Sequence, residues 1–212
     1  RLDRGTRVLL DHVPDPPATG TFLDLGCGWG PIALALADAA PHARVLATDV
    51  NERALGLTAR NAAAAGCANV HAIEAAALRA QLEREGTRLD LIWSNPPVRV
   101  GKKALHALLA SWLGLLAPGG EAWFVVGKNL GADSLAAWLA AEGYEAARAA
   151  SSMSSLVMLE IPSTATSSMP TRVWKAREAR MEHLAAASKP STSAVGSASA
   201  KPRSCACLRA SS

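Results

Sequence analysis

The sequence predicts an α/β fold of the doubly wound, Rossmann-like kind, a mostly parallel sheet with helices on both faces and a C-terminal antiparallel hairpin. Three observations carry that prediction. Short apolar runs alternate with longer Ala- and Leu-rich stretches, as βαβ units require. A Gly-rich segment, Leu23–Gly30, joins the first apolar run to a helical stretch, and Asp49 closes the second run about 20 residues later.

The elements follow in order. Thr21–Leu25 reads as a buried strand and Pro31–Ala40 as the helix behind it. Arg44–Thr48 is the second strand, followed by a helix over Glu52–Ala65 that Gly66 stops. Asn69–Ile73 is the third strand. Leu89–Ser94 is the fourth, ended by Pro96-Pro97, which cannot continue a central strand. Lys102–Leu116 is helical, Pro118-Gly119-Gly120 turns the chain, and Glu121–Val126 forms the fifth strand. A helix over Ala132–Glu142 and two weaker runs, Tyr144–Ala149 and Leu156–Ile161, close the sheet as a hairpin. Right-handed crossovers place ligands at the carboxyl ends of the strands, where strand order reverses.

Charge divides the chain in two. Residues 1–161 hold 14 Lys/Arg against 16 Asp/Glu, whereas residues 162–212 hold 8 against 2. The basic balance comes wholly from the tail and is no sign that the folded part binds nucleic acid. We expect one domain over 1–161 and a low-complexity, disordered tail over 162–212, rich in Ser, Thr, Ala and Pro. The chain opens on Arg1-Leu2-Asp3-Arg4, which is polar and unlike a secretory leader, and lacks an initiating Met, as a fragment would. Apolar runs are too short for a membrane span. Cys27, Cys67, Cys205 and Cys207 match neither a disulfide framework nor a zinc site, so a reduced, cytoplasmic, metal-free protein is expected.

In Leu23-Asp24-Leu25-Gly26-Cys27-Gly28-Trp29-Gly30, glycine lets the backbone turn sharply and approach a ligand with no Cβ in the way. The following helix N-terminus offers free N–H groups to an anion. Asp49 is placed to accept from ribose hydroxyls. A dinucleotide-binding dehydrogenase is the nearest rival, but the spacing is G-x-G-x-G rather than G-x-G-x-x-G. Asp24 would also repel a diphosphate, whereas it suits an ammonium group.

Asp90-Leu91-Ile92-Trp93-Ser94-Asn95-Pro96-Pro97 delivers an Asn and two prolines to the same edge of the sheet. Proline fixes φ and holds the preceding residue in extended geometry. An amine on an aromatic ring is a poor nucleophile because its lone pair is delocalised. Two acceptors, the Asn95 side-chain oxygen and the Pro96 carbonyl, can hold its hydrogens and aim its nitrogen.

The stretch D-L-G-C-G-W-G-P resembles the first motif of class I S-adenosylmethionine-dependent methyltransferases. The resemblance implies that Asp24 orients the methionyl amino group, Gly26 and Gly28 line the methionine backbone, and Asp49 binds the ribose. Val50 then lies against the adenine and Glu74 meets its amino group, although Glu-Ala-Ala is also an ordinary helix start. Asn95-Pro96-Pro97 resembles the N-P-P-aromatic motif of amino-methyltransferases, with Val98 where Tyr or Phe often stands. Together with Leu2–Leu10, Val98-Arg99-Val100-Gly101-Lys102 and Val125–Asp133, it is similar to the small-domain rRNA guanine-N2 methyltransferases over residues 2–161.

That resemblance implies methylation of a guanine N2 in small-subunit ribosomal RNA, with ribosomal RNA or the small ribosomal subunit as partner and no membrane. Val98, Arg99, Lys102 and Lys128, with Lys103 beside them, would border the substrate. The family usually carries further sequence ahead of this start. It also has a Lys/Arg-Gly-aromatic stretch where Ser152-Met153-Ser154-Ser155 stands here, which suggests an altered C-terminus. Protein-glutamine or DNA-adenine methylation, and an inactive cofactor- or RNA-binding module, remain alternatives. His106 reads as a helix residue rather than a base. Trp93, Trp112, Trp123 and Trp138 read as packing residues, and Trp29 either packs or borders the cofactor.

Overall fold

The computed structural model describes residues 2–96, 101–127, 132–151 and 156–161. Among the described residues, seven strands form one sheet in the order β3-β2-β1-β4-β5-β7-β6. The strands are β1 (Thr21–Leu25), β2 (Arg44–Thr48), β3 (Val70–Ala72), β4 (Leu89–Ser94), β5 (Leu116–Gly127), β6 (Ala147–Ser151) and β7 (Leu156–Ile161). β1 to β5 are mutually parallel, and β7 runs antiparallel between β5 and β6. The helices are α1 (Arg4–His12), α2 (Pro31–Ala39), α3 (Glu52–Ala65), α4 (Ala75–Glu85), α5 (Gly101–Leu113) and α6 (Ala132–Ala141). The order reverses between β1 and β4, so the crevice for a ligand opens above that pair.

Period-two alternation along the strands feeds two cores. On one face Phe22, Val45, Leu91, Trp93 and Val125 meet Leu9 and Leu10 of α1 and Ile32 to Ala37 of α2. On the other, Leu23, Leu46, Ile92 and Phe124 meet Leu78 and Leu82 of α4, Leu105, Leu109 and Trp112 of α5, and Leu135 and Leu139 of α6. α2 is buried along nearly its whole length, and its sequence, Pro31-Ile32-Ala33-Leu34-Ala35-Leu36-Ala37, is apolar all round for that reason. Among the described residues, no helix is long and apolar enough to cross a membrane.

Two helices are additions to the sequence reading. α1 begins at Asp3, whose carboxylate accepts the Gly5 and Thr6 N–H groups. α4 begins at Glu74, which accepts from Ala76 and Ala77, and ends at Gly86 in the left-handed region. Its buried Leu78 and Leu82, spaced i,i+4, are the signal for it. A third difference concerns Pro118-Gly119-Gly120, expected as a turn ahead of the strand. β5 starts earlier, at Leu116 opposite Leu89, and these residues form an irregularity before pairing resumes at Leu91 opposite Glu121. A Cβ on Gly120 would stand 2.8 Å from the Leu89 carbonyl, so only glycine permits that approach. The Ser152–Ser155 segment and the 162–212 tail lie outside the described residues.

Candidate active site

The carboxyl ends of β1, β2 and β4 meet at the reversal, and hydrogen bonds lace them together. Gly26 and Cys27 both donate backbone N–H to the Thr48 carbonyl, at 2.9 and 3.0 Å. The Thr48 hydroxyl donates to Ile73 at 2.8 Å, and the buried Ser94 hydroxyl donates to the Leu25 carbonyl at 2.6 Å. The Gly-rich loop therefore leaves β1 from a fixed point.

From there the loop turns through three left-handed glycines, Gly26, Gly28 and Gly30, with φ of 80°, 57° and 91°. Gly30 is tight, because a Cβ would come within 2.9 Å of the Thr58 side chain. Gly28 is different: a Cβ there meets no atom within 4 Å, so its open side is a space that a ligand backbone fits. Two α3 residues that sequence reasoning passed over hold the loop from below. Thr58 donates to the Gly28 carbonyl at 3.1 Å, and Asn61 donates to the Trp29 carbonyl at 2.8 Å. Their i,i+3 spacing on a helix following the loop is the available signal. Trp29, whose position was left open, is half-buried and packs against the α2 face of the core.

Asp24 lies at the base of this loop with no exposed surface. Its Oδ2 accepts the Ala33 N–H at 2.9 Å, one of the N-terminal donors of α2 that a helix leaves unpaired. Its Oδ1 is buried without a hydrogen-bond partner among the described residues. Burial pushes the carboxyl up to about 8. The Ala33 N–H pulls it back, and the Asp49 charge adds to the rise. A buried acceptor of this kind is costly to leave unmet, and an ammonium is the group that would satisfy it. The adjacent Cys27 thiol is inert by contrast, since burial pushes it up to about 12.

Asp49 stands at the rim, half-buried, and bridges two elements. Its Oδ2 accepts the Gly28 N–H at 3.0 Å and its Oδ1 accepts the Asn51 N–H at 2.9 Å. Each oxygen keeps a lone-pair direction for a ribose hydroxyl. Val50 next to it is 87% exposed, an apolar surface suited to a flat base. Glu74, two residues past β3, uses its two carboxylate oxygens to cap α4, at 2.9 Å each. Those bonds hold its carboxyl below the ordinary range.

At the end of β4, Asn95 is half-buried and Pro96 is buried. The Asn95 Nδ2 donates to Asp3 Oδ1 at 2.9 Å and to Thr6 Oγ1 at 3.1 Å. Thus α1 stands over the motif as well as packing on the sheet. Pro97, Val98, Arg99 and Lys128 lie outside the described residues. Lys102 and Lys103 are exposed in the first turn of α5. His106 lies in α5, as read from the sequence, and stacks on Trp138 with ring centroids 4.2 Å apart, a packing contact the sequence reading did not include. Trp93, Trp112 and Trp123 are core residues, in line with their reading. Among the described residues, no cluster of His, Cys, Asp and Glu could hold a metal ion.

Residues 1–152 match the family model described as methyltransferase small domain. The chain belongs to that family. Over 133 residues it is 38% identical to an uncharacterized protein, YbxB, of Bacillus subtilis, a match covering 63% of this chain and 65% of that one. A ribosomal RNA small subunit methyltransferase C of Hahella chejuensis is 36% identical over 135 residues, 61% of this chain and 37% of the relative. A release factor glutamine methyltransferase of Xylella fastidiosa is 51% identical over 88 residues, 42% of this chain and 30% of the relative. The matches thus span less than two thirds of these relatives. Among solved structures, the T. thermophilus 16S rRNA N2 G1207 methyltransferase, in complex with AdoMet and guanosine, shares the fold with a TM-score of 0.61. It is 20% identical, over 77% of this chain and 44% of that one.

A methyltransferase small domain takes S-adenosylmethionine, and three features of this site fit it. They are the unmet buried oxygen of Asp24, the open side of Gly28, and the exposed Val50 beside the Asp49 carboxylate. The nicotinamide alternative has no counterpart for the first of these.

Proposed function

We propose that this protein is an S-adenosylmethionine-dependent N-methyltransferase acting on the exocyclic N2 amine of a guanine in small-subunit ribosomal RNA. The observation that carries the proposal is Asn95. It sits at the end of β4, across the reversal from the Gly-rich loop, and its amide nitrogen is already engaged by Asp3 and Thr6. The guanosine bound by the fold relative, and the rRNA methyltransferase of H. chejuensis, support the choice of base and of RNA.

Asp24 would hold the methionyl ammonium, Gly26 and Gly28 its backbone, Asp49 the ribose, and Val50 and Glu74 the adenine. When bound, S-adenosylmethionine supplies an electrophilic methyl group. Asn95 Oδ1 and the Pro96 carbonyl then accept the amine hydrogens, which favours a pyramidal nitrogen without a strong base. Pro97 is assigned the role of restricting the backbone after Pro96, as a proline ring does. Val98, Arg99, Lys102 and Lys128 are assigned to the RNA side, the cations to phosphates. The partner is ribosomal RNA or the small ribosomal subunit, in the cytoplasm.

The test is transfer of a tritiated methyl group from S-adenosylmethionine to small-subunit ribosomal RNA, followed by digestion to nucleosides. Label in N2-methylguanosine is the expected result. The release-factor relative favours a second reading, methylation of a protein glutamine. Label in methylglutamine, with unlabelled RNA, would replace the first reading by the second.

A further inference from the structure

We propose that Asp3, Gly5 and Thr6 form a positioning element that fixes the Asn95 amide with its oxygen, rather than its nitrogen, available to the substrate amine. The inference rests on the reading of Asn95 as the amine acceptor and explains how that acceptor is set. A carboxylate accepts hydrogen bonds and donates none, so the face of Asn95 turned to Asp3 must be the NH2 group. The Thr6 hydroxyl donates to Asp3 Oδ2 at 2.6 Å, which commits its proton and leaves its lone pair for the second Nδ2 hydrogen. Both donors of the Asn95 amide are therefore used, at 2.9 and 3.1 Å. A flipped amide would set its oxygen against the Asp3 carboxylate, acceptor against acceptor, and could be met at Thr6 only by taking the hydroxyl proton away from Asp3. The oxygen, Oδ1, has no hydrogen-bond partner among the described residues.

Gly5 supplies the space. A Cβ built there would stand 2.6 Å from Asn95 Oδ1, 2.8 Å from Nδ2 and 2.9 Å from Cγ, so the amide lies flat against the glycine. Glycine lowers helix propensity within α1, and the close approach of Asn95 explains its use at that position. Asp3 also caps α1, through the Gly5 and Thr6 N–H groups at 2.8 and 3.2 Å. One carboxylate thus ties the start of the helix to the orientation of a residue far away in sequence.

The experiment separates capping from orientation. Asn caps a helix about as well as Asp, so Asp3→Asn leaves α1 intact if capping is the whole role of Asp3. An amide at position 3 can donate as well as accept, however, and no longer dictates which way Asn95 turns. The 212-residue chain, labelled with 15N and bound to S-adenosylhomocysteine, gives a direct reading. The Asn95 side-chain NH2 signals, identified by their loss in Asn95→Ala, should exchange about tenfold more slowly in the wild type than in Asp3→Asn.

In parallel, Asp3→Asn and Thr6→Val should lower kcat for methyl transfer about tenfold at unchanged S-adenosylhomocysteine affinity, and Thr6→Ser should restore it. Gly5→Ala should lower kcat as well, because its Cβ would stand 2.6 Å from Asn95 Oδ1 and displace the amide. Equal exchange in wild type and Asp3→Asn overturns the lock. So does a wild-type kcat in Asp3→Asn while Asn95→Ala is inactive, a result that leaves the Asn95 reading standing. A fully active Asn95→Ala overturns both.

Discussion

Asp24 gives one carboxylate oxygen to the Ala33 N–H at 2.9 Å and keeps the other buried with no hydrogen-bond partner among the described residues. The buried carboxyl is raised from 3.8 to about 8. The folded protein therefore holds this proton across a window in which the unfolded chain has lost it. Stability of the ligand-free protein should fall as pH rises from about 4 to about 8 and level off above. Binding of an ammonium ligand reverses the preference, so S-adenosylhomocysteine should bind with proton release below pH 8. Calorimetry in buffers of different ionisation enthalpy measures that release, which Asp24→Asn should abolish. Proton uptake on binding would contradict the assignment.

Asn95→Ala removes the side-chain acceptor while leaving the Gly-rich loop untouched. Turnover should drop roughly a hundred- to a thousandfold, the range for losing one preorganised polar group, with cofactor affinity nearly unchanged. Equal losses in kcat and in S-adenosylhomocysteine binding would mean that Asn95 serves the cofactor instead.

Asp49→Ala should do the opposite. It removes an expected ribose acceptor and frees the Gly28 and Asn51 N–H groups that the carboxylate now holds. Affinity for S-adenosylhomocysteine should weaken roughly ten- to a hundredfold, as expected for hydrogen bonds to a charged group. An unchanged dissociation constant would remove Asp49 from the site.

Gly28→Ala tests the open side of the loop. The new methyl group meets nothing within 4 Å in the protein, so the fold should lose only about 1 kcal/mol for a left-handed alanine. Cofactor affinity should fall by a larger factor, because the methyl group occupies the space assigned to the methionine backbone. Thermal unfolding and titration on the same variant compare the two effects directly.

Much of this was legible in the sequence because it rests on local chemistry. The strands Thr21–Leu25, Arg44–Thr48 and Leu89–Ser94 have the expected boundaries, since apolar runs between polar or Gly/Pro residues leave little choice. The Gly-rich loop, Asp24 and Asp49 come together because β1 and β2 are parallel neighbours, and the reversal of strand order between β1 and β4 sets Asn95 beside them. What the sequence did not reveal depends on contacts between distant segments. Asp3 stands in the sequence only as part of the polar opening Arg1-Leu2-Asp3-Arg4, and its tie to Asn95 shows only once α1 is seen lying against that residue. Thr58 and Asn61 look like polar positions on an Ala-rich helix until the loop carbonyls above them are located. The capping role of Glu74 was visible in Glu-Ala-Ala, and its cap bonds leave adenine binding to its remaining lone pairs.

The most direct measurement is a calorimetric titration of the full chain with S-adenosylhomocysteine at neutral pH. The account predicts saturable one-to-one binding in the micromolar range, lost or much weakened in Asp49→Ala and retained in Asn95→Ala. Absence of binding at millimolar ligand would contradict the assignment of Asp24, Gly28 and Asp49 as a cofactor site.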